Sequence, residues 1–265
     1  MGLTSLRERL ASVSASRILL GLDFDGTLAP IVPDPDQAAP NPQAVALLSE
    51  LSHCLQRIVI ISGRDTDFLV SRLALPQALF IGNHGLEERD GGASRVVPEA
   101  QPYLERLARA SQAVEALPQA RAPGITIERK RATVSVHFRQ AAEPSAAGAA
   151  LRPALQEIAG REQLQLQPGR LVWEFRPPID VDKGAVLRRL AAVMQPAGVI
   201  YLGDDRTDAA AFSALKRMTG SRTVAVGVRS PEVPDDVFVD SDLMVEGVAG
   251  VTQFLTQLLD VCANA

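Results

Sequence analysis

A short apolar run that ends in two aspartates most strongly limits what this chain can fold into. Residues 18–22 read ILLGL, which is typical of a strand buried on both faces of a parallel sheet. Because side chains alternate along a strand, Asp23 and Asp25 are expected to point to the same side. Two carboxylates held that close repel each other unless a cation lies between them, and Mg²⁺ prefers such oxygen ligands. Gly26 permits a tight turn whose N–H groups can approach an anion, and Thr27 adds a hydroxyl, so the run predicts a phosphoryl-transfer centre.

Two other interpretations of the same run are weaker. In a calcium loop of the EF-hand type counted from Asp23, the required glycine would fall at Leu28 and the required glutamate at Asp34. The loop would also follow a strand where a helix is needed, so this interpretation is excluded. The second interpretation is a solvated turn that merely contains two acids. Such turns are common in loops, and the position directly after a buried strand argues against one here.

The composition predicts a soluble globular protein that binds neither nucleic acid nor membranes. The chain has 265 residues, of which 46% are hydrophobic and 22% are charged, enough for one large domain or two modest ones. Its net charge is −4, from 27 basic and 31 acidic residues, so no basic stripe or polybasic run stands out. We therefore expect local groups, not the overall charge, to hold an anionic small-molecule substrate.

The cysteines and the first residues predict a cytoplasmic protein. The two cysteines, Cys54 and Cys262, are too few for a disulfide framework. Residues 1–17 are not followed by an apolar core of signal-peptide length, and no segment approaches the ~20 apolar residues of a membrane span. We expect a monomer in the reducing cytoplasm.

Strand and helix patterns alternate through most of the chain. Asn41 is placed to cap a helix that Pro42 opens. Its buried face would consist of Val45, Leu48, Leu51 and Leu55. Further buried strands are predicted at residues 57–62, 79–82, 199–203 and 223–228, with helices at residues 67–75, 183–194, 208–218 and 248–261. This order is typical of a doubly wound, mostly parallel, Rossmann-like α/β sheet.

The middle of the chain breaks this alternation. Two hairpins and one helix are predicted there, with strands at residues 125–130, 133–139, 164–167 and 171–176, a helix at residues 145–159, and loops at residues 118–124 and 140–148. We therefore expect a core formed by residues 1–94 and 177–265, and an α+β domain inserted at residues 95–176.

Polar groups follow the carboxyl ends of the predicted strands, which is where open α/β sheets bind ligands. They are residues 23–27 (DFDGT), 62–64 (SGR), 83–85 (NHG) and 203–208 (GDDRTD). The hydroxyl of Ser62 and the N–H groups after it can bind phosphate oxygens, and Lys183 opens a helix, where a cation can face them. Each element alone has an ordinary explanation, as a loop tripeptide, a solvated lysine or a helix cap. Their common place at strand ends predicts one site.

These residues resemble the ordered motifs of the haloacid-dehalogenase-like phosphatases. The matching positions are Asp23-Phe24-Asp25-Gly26-Thr27, Ser62, Lys183 and Gly203-Asp204-Asp205. The resemblance implies Mg²⁺-dependent phosphoryl transfer by a core that carries an inserted α+β cap domain. Asp23 would be the nucleophile that forms an aspartyl-phosphate. Asp25 would protonate the leaving alcohol and then deprotonate the attacking water.

The resemblance also implies which residues hold the metal and the phosphoryl group. Mg²⁺ would be held by Asp23, the backbone carbonyl of Asp25 and Asp204, with Asp205 or Asp208 in support. The transferring phosphoryl group would be held by Gly26, Thr27, Ser62, Gly63, Arg64 and Lys183. His53 and His84 would be structural, because an aspartyl-phosphate mechanism needs no histidine.

A narrower resemblance, to the trehalose-6-phosphate phosphatase family, extends over nearly the whole chain. It rests on residues 25–31 (DGTLAPI), 83–87 (NHGLE), 128–130 (ERK), 136–139 (VHFR), 173–177 (WEFRP) and 203–208 (GDDRTD). The inserted domain would be a type-two cap in which Glu128, Lys130 and Glu174 grip the sugar ring remote from the phosphate. His137 and Arg139 would shape the pocket. A carboxylate beside an ammonium does offer acceptors and donors to hydroxyls, but without the resemblance the residues alone favour a salt bridge on a solvated surface.

The resemblance thus implies a phosphatase, expected in the cytoplasm, that releases trehalose and phosphate and is coupled functionally to a trehalose-6-phosphate synthase. One alternative is the same reaction on sucrose 6-phosphate or mannosyl-3-phosphoglycerate. Another is a non-catalytic phospho-acceptor module, since receiver-type domains also combine acids, a hydroxyl and a lysine around Mg²⁺. Asp25 distinguishes these classes, because a stable phospho-acceptor needs no general acid.

Overall fold

The computed structural model describes residues 3–230 and 233–263 and divides into two compact units. The first unit combines the chain up to Ser94 with the chain from Val181 onward, and the second is Arg95–Asp180. The strands are β1 (Ile18–Leu22), β2 (Arg57–Ile61), β3 (Leu79–Gly82), β4 (Glu87–Asp90), β5 (Arg95–Val96), β6 (Thr126–Arg129), β7 (Val134–His137), β8 (Gln165–Gly169), β9 (Val172–Arg176), β10 (Gly198–Gly203), β11 (Arg222–Arg229) and β12 (Leu243–Glu246). The α-helices are α1 (Leu3–Arg9), α2 (Pro42–Leu51), α3 (Thr66–Leu73), α4 (Leu104–Ala116), α5 (Pro144–Glu162), α6 (Lys183–Met194), α7 (Asp208–Arg217) and α8 (Gly247–Ala263).

The first unit is built on a sheet in the order β12-β11-β10-β1-β2-β3-β4. Every neighbouring pair is parallel except β3 and β4, which are antiparallel. The predicted mostly parallel α/β sheet is therefore confirmed. The strand order reverses at β1, which lies between β2 and β10, and this switch point is where such sheets bind ligands.

The central strand β1 is buried on both faces, as its apolar sequence predicts. Ile18, Leu20 and Leu22 pack into one hydrophobic core, whereas Leu19 packs into the core on the other side of the sheet. Gly21 faces the same side as Leu19, and a Cβ there would lie 2.8 Å from the ring of Tyr201. The absence of a side chain at this position lets the aromatic ring of β10 lie directly against β1.

Helix α2 begins as predicted but buries a different face. The Asn41 side chain accepts hydrogen bonds from two backbone N–H groups of the first turn, at 2.9 and 3.2 Å, and Pro42 opens the helix. Its buried residues are Ala44, Leu48 and Leu51. Val45 is only half-buried, and Leu55 is buried but lies beyond the end of the helix. The buried face of the helix therefore includes Ala44 and excludes Val45, and the helix ends before Leu55.

The second unit contains an antiparallel sheet in the order β6-β7-β9-β8, packed against α4 and α5 through one hydrophobic core. The two predicted hairpins are present. Helix α4 was not predicted, because its buried face includes Ala110 and Ser111, whose small side chains weaken the apolar pattern. The expected loop at 140–148 is also wrong in its second half, since Pro144 starts α5, as proline often does in a first helical turn. Residues Pro118–Arg121 of the other expected loop form a short 3₁₀ helix.

Among the described residues, no helix is long and apolar enough to cross a membrane.

Candidate active site

Three buried carboxylates meet at the switch point of the sheet. Asp23 follows β1, Asp204 follows β10, and Asp208 is the first residue of α7. Each offers one oxygen, and these oxygens lie within 4.8 Å of one another. The three residues are only 5%, 3% and 0% exposed, so water screens little of their mutual repulsion. We call these three residues the acid cluster, because they bring three buried carboxyl groups together at one point.

Lys183 neutralises part of this charge. It is the first residue of α6, which the Asp182 side chain caps by accepting a hydrogen bond from the N–H of Ala185 at 2.6 Å. The Lys183 Nζ atom lies 2.7 Å from Asp208 Oδ1 and 3.1 Å from Asp23 Oδ1. Burial by itself would lower the pKa of Lys183, but the charges of Asp208 and Asp23 outweigh it and raise that pKa, so the ammonium stays charged.

One ammonium does not balance three carboxylates, and their pKa values reflect this. Burial and the neighbouring acids raise the pKa of Asp23 well above its ordinary value and that of Asp204 to about 7. Burial also raises the pKa of Asp208, although Lys183 opposes the shift. A further cation would reduce the repulsion among the three carboxylates. A set of carboxylate oxygens fits a hard divalent ion such as Mg²⁺.

The carboxylate of Asp25 lies outside the acid cluster, contrary to the expectation that it shares a cation with Asp23. Strand β1 ends at Leu22, and a tight turn follows in which Leu28 N donates to Phe24 O at 2.8 Å, so strict alternation no longer applies. Both Asp25 oxygens instead accept from Arg64, from Nε and from an Nη atom, each at 2.8 Å. This bidentate pair raises the pKa of Arg64, whose guanidinium also lies over the Phe68 ring at 4.6 Å.

Gly26 brings the first loop against the second. Its φ is +78°, and a Cβ there would lie 1.9 Å from Asp204 Oδ2. Backbone and carboxylate are therefore in direct contact, which only glycine permits. Thr27, which is fully buried, reaches the same carboxylate, with Oγ1 3.4 Å from Asp204 Oδ1.

If the acid cluster holds Mg²⁺, Gly26→Ala is expected to weaken that binding about 10- to 100-fold, because the new methyl group must displace the Asp204 carboxylate. Isothermal calorimetry with Mg²⁺ measures this. Gly91→Ala is the matched control, since Gly91 also has a positive φ of +69° but has open space at the Cβ position. The control should lose about 1–2 kcal/mol of stability from backbone strain alone and bind Mg²⁺ normally. Equal Mg²⁺ affinities in both variants would contradict the contact with Asp204.

Asp205, which was expected beside the metal, takes part in the turn that begins α7. Its Oδ1 accepts from Thr207 N at 2.8 Å, from Thr207 Oγ1 at 2.7 Å and from Asp208 N at 3.2 Å. Burial raises its pKa, but Lys183 and these donors outweigh burial and lower it. The sequence could not separate these adjacent acids, because the hydrogen bonds of the turn decide which one points inward.

The loops after β2 and β3 are bonded to each other beside Asp25. His84 N donates to Ser62 O at 2.9 Å, and Asn83 N donates to Arg64 O at 2.8 Å. The hydroxyl of Ser62 accepts from Arg64 N at 3.2 Å, and a Cβ at Gly63 would meet the imidazole of His84 at 2.6 Å. His84 thus packs against the predicted phosphate-binding loop, which suits a structural role.

A buried carboxylate that the sequence analysis did not assign supports this loop pair. Glu87 is fully buried and accepts from Asn83 Nδ2 at 2.5 Å and from Thr66 Oγ1 at 3.3 Å. Asn83 and His84 both have positive φ values, 47° and 55°, and Glu87 anchors the first of them. Glu87 opens the polar strand EERD, so no local sequence pattern distinguishes it from its neighbours.

Four of the five residues predicted to bind sugar form one network on the sheet of the second unit. Glu128, Ser135 and Glu174 occupy paired positions across β6, β7 and β9. The ammonium of Lys130 lies 3.8 Å from Glu174 and 4.0 Å from Glu128, and His137 Nε2 lies 2.9 Å from Glu128 Oε2. The fifth residue, Arg139, donates to the backbone oxygen of Arg170 at 3.4 Å. The network thus combines donors and acceptors as sugar hydroxyls require.

Comparison with known proteins agrees on one family. The family model described as trehalose-phosphatase matches residues 21–242. A trehalose-phosphate phosphatase of Mycobacterium marinum is 40% identical over 227 residues, which cover 80% of this chain and 54% of that protein. A probable trehalose-phosphate phosphatase 4 of Oryza sativa subsp. japonica is 29% identical over 97% of this chain and 70% of that protein. The solved structure of Aspergillus fumigatus trehalose-6-phosphate phosphatase has a TM-score of 0.65 and 26% identity over 98% of both chains. The chain spans about half the length of the mycobacterial relatives.

Proposed function

Because the chain belongs to the trehalose-phosphatase family, we propose that it is a Mg²⁺-dependent phosphatase that hydrolyses trehalose 6-phosphate to trehalose and phosphate. The observation that carries this proposal is the acid cluster with Lys183 at the switch point of the sheet. It supplies a nucleophile, a cation and a place for a divalent ion within a few ångströms. Two of these three requirements concern charge, which dominates catalysis of phosphoryl transfer.

Asp23 and Asp204 are the carboxylates that would hold Mg²⁺, with the backbone carbonyl of Asp25 as a further ligand. Their oxygen-only donor set and the excess negative charge of the acid cluster support this assignment. The three donors on Asp205 Oδ1 favour Asp204 over Asp205. When bound, Mg²⁺ would withdraw charge from the transferring phosphoryl group.

In the first proposed step, an Asp23 oxygen attacks phosphorus while the bond from phosphorus to the sugar oxygen breaks. Asp25 gives its proton to that oxygen, so trehalose leaves as a neutral alcohol and Asp23 carries the phosphoryl group. In the second step, water attacks phosphorus, Asp25 takes its proton, and the bond to Asp23 breaks. Phosphate leaves, and both carboxyl groups return to their starting states.

Lys183, Thr27 and the loop at Ser62 would hold the phosphoryl oxygens during both displacements. The buried, charged ammonium of Lys183 is the strongest of these groups, because little water competes with it. The proposed mechanism requires Arg64 to move, because both Asp25 oxygens accept hydrogen bonds from its guanidinium in this structure. For Asp25 to carry a proton to the sugar oxygen, at least one of these bonds has to break, and the phosphate is the anion that would then attract Arg64.

The second unit would select the sugar through Glu128, Lys130 and Glu174. Their mutual contacts are long, at 3.8 and 4.0 Å, so the ammonium can exchange them for hydroxyl groups at small cost. His137 and Arg139 are the weaker members of this proposal, because His137 reaches the network only through Glu128 and Arg139 contacts a backbone oxygen.

A phosphate-release assay on purified protein tests the proposed function. Trehalose 6-phosphate, sucrose 6-phosphate and mannosyl-3-phosphoglycerate are compared at equal concentration, each with Mg²⁺ and with excess chelator. We expect release with Mg²⁺ only, with the highest kcat/KM for trehalose 6-phosphate. An equal or higher kcat/KM for another substrate would overturn the substrate assignment, and unchanged release in chelator would overturn the metal requirement.

Asp25→Asn separates hydrolysis from a phospho-acceptor role. The amide cannot give a proton to the leaving sugar, so phosphate release should fall at least ~100-fold. Asn retains the shape of the side chain and one acceptor for Arg64, so folding should be preserved. The control is Asp34→Asn, which changes an exposed helix-capping acid. Unchanged release by Asp25→Asn would contradict the hydrolytic mechanism.

Glu128→Ala should chiefly reduce activity on the disaccharide. We expect kcat/KM for trehalose 6-phosphate to fall about 10- to 100-fold, because the hydrogen bonds that sugar hydroxyls donate to the charged carboxylate are lost. Activity on p-nitrophenyl phosphate, which has no sugar, should change less than about threefold. Glu115→Ala, at a more remote exposed acid of the same unit, is the control. Parallel losses on both substrates would argue against sugar recognition by Glu128.

A further inference from the structure

A buried tyrosine contacts the acid cluster, yet the proposed mechanism gives it no part. Tyr201 lies on β10 and is fully buried, and its hydroxyl donates to Asp208 Oδ1 at 2.6 Å. The ring lies against Gly21 of β1, where a Cβ would come within 2.8 Å of it. On another side it meets Phe212 edge-on, with ring centroids 6.1 Å apart. The ring therefore has little room to move, and its hydroxyl is held in one place.

The protein itself satisfies the carboxylate that receives this hydrogen bond. Asp208 Oδ1 accepts from Tyr201 and, at 2.7 Å, from Lys183 Nζ. Asp208 Oδ2 accepts from the N–H groups of Asp204 and Asp205, both at 2.9 Å. A carboxylate offers about four lone-pair sites, so these four donors fill it. Asp208 is thus suited to fixing its neighbours in place.

The same carboxylate connects Tyr201 to the reacting group. Lys183 shares Asp208 Oδ1 with the tyrosine and lies 3.1 Å from Asp23 Oδ1. Two donors on one oxygen constrain each other's direction, so the hydroxyl limits where the ammonium can sit. A shift of the ammonium by a fraction of an ångström would reduce its effect on charge that develops at phosphorus.

We propose that Tyr201 is a positioning residue for the reaction: its hydroxyl fixes Asp208, and Asp208 in turn fixes the Lys183 ammonium beside Asp23. This inference rests on the proposed function. It concerns a residue that carries no charge and touches no substrate atom in the proposed mechanism. Its effect is transmitted through one shared carboxylate oxygen.

Tyr201→Phe tests this role, because it removes only the hydroxyl and keeps the ring in its packed position. Tyr103→Phe, which removes the hydroxyl of the other tyrosine of the chain, is the matched control. For Tyr201→Phe we expect kcat on trehalose 6-phosphate to fall about 10- to 100-fold with KM within about threefold of wild type. The affinity for orthovanadate in the presence of Mg²⁺, measured by calorimetry, needs no turnover. It should fall about fivefold or more, because the displaced Lys183 ammonium would hold this phosphate mimic less well.

The outcomes separate three cases. A folded Tyr201→Phe protein with wild-type kcat and vanadate affinity overturns the positioning role, even if its thermal stability is lower, because a purely structural hydroxyl would act on stability alone. A loss of the same size in Tyr103→Phe overturns it as well. A wild-type protein that releases no phosphate overturns the proposed function, and this inference with it.

Discussion

Asp23→Asn is expected to abolish phosphate release and, in the absence of Mg²⁺, to leave the protein at least as stable as wild type. The amide cannot attack phosphorus, so the rate should fall by about 10⁴ or more, as when a nucleophile is removed from other enzymes that form covalent intermediates. The expected stability is less usual. It follows from the environment of Asp23, which is buried beside two other acids.

The sign of the stability effect follows from the pKa. Burial and the neighbouring acids raise the pKa of Asp23 in the folded protein above its ordinary value of 3.8. The folded state therefore binds this proton more tightly than the unfolded state, and stability is lost as pH rises from about that ordinary value through the raised pKa. Asparagine carries no charge at any pH in this range, so the variant should avoid the loss.

Thermal unfolding in chelator measures this difference. Asp23→Asn should unfold at an equal or higher temperature than wild type at pH 7.5, and the gap should shrink toward pH 4. Added Mg²⁺ should stabilise wild type more than the variant, which lacks one of the proposed ligands. Asp236→Asn, at an exposed acid 3.7 Å from Arg206, is the control and should change neither property. Strong destabilisation of Asp23→Asn at neutral pH in chelator would contradict the charge balance described for this site.

Lys183→Met should also cause a large loss of activity, but unlike Asp23→Asn it should cause a large loss of stability as well. Methionine keeps much of the length of the side chain but leaves Asp208 and Asp23 without the ammonium that lies 2.7 and 3.1 Å from them. Removing one partner of a buried ion pair costs about 3–5 kcal/mol in other proteins. Loss of the charge that is proposed to face the phosphoryl oxygens should lower kcat about a thousandfold.

Urea unfolding in chelator and steady-state kinetics with Mg²⁺ measure these two losses. Lys216→Met is the matched control, since Lys216 forms an ion pair of the same length, 2.7 Å to Asp240, but is 61% exposed. A surface pair of this kind contributes about 0–1 kcal/mol. If the two lysine variants lost similar amounts of stability, Lys183 would not be the main neutralising charge of the acid cluster.

The sequence was most informative where a local signal has one structural meaning. Helix α6 begins and ends as predicted, because Asp182 caps it and the apolar period continues to Met194. The strands β1, β2, β3, β10 and β11 were found from apolar runs that two covering layers of helices require. Since parallel strands bring their carboxyl ends to one edge, the meeting of Asp23, Asp204 and Lys183 could also be expected.

Contacts between distant residues were not predictable in this way. Asp25 and Arg64 are 39 positions apart, and only the turn after Leu22 decides that the Asp25 carboxylate reaches the guanidinium. Strand β4 has the sequence EERD, which carries no apolar period, and it forms because its backbone pairs with β3. The position of Tyr201 depends on Gly21, which lies 180 positions earlier and has no side chain to collide with the ring. No local sequence pattern predicts such a contact.

The strand order also has a consequence for how the molecule is made. Strand β1 pairs with β2 on one edge and with β10 on the other, so a ribosome must synthesise more than two hundred residues before the second edge can be covered. Until β10 has been made, the edge of β1 that it covers has unpaired amide and carbonyl groups. Chains aggregate at strand edges of this kind. Folding of the first unit must therefore wait for late, long-range pairing, which is slow. The carboxylates that follow β1 and β10 can therefore come together only after most of the chain has been made.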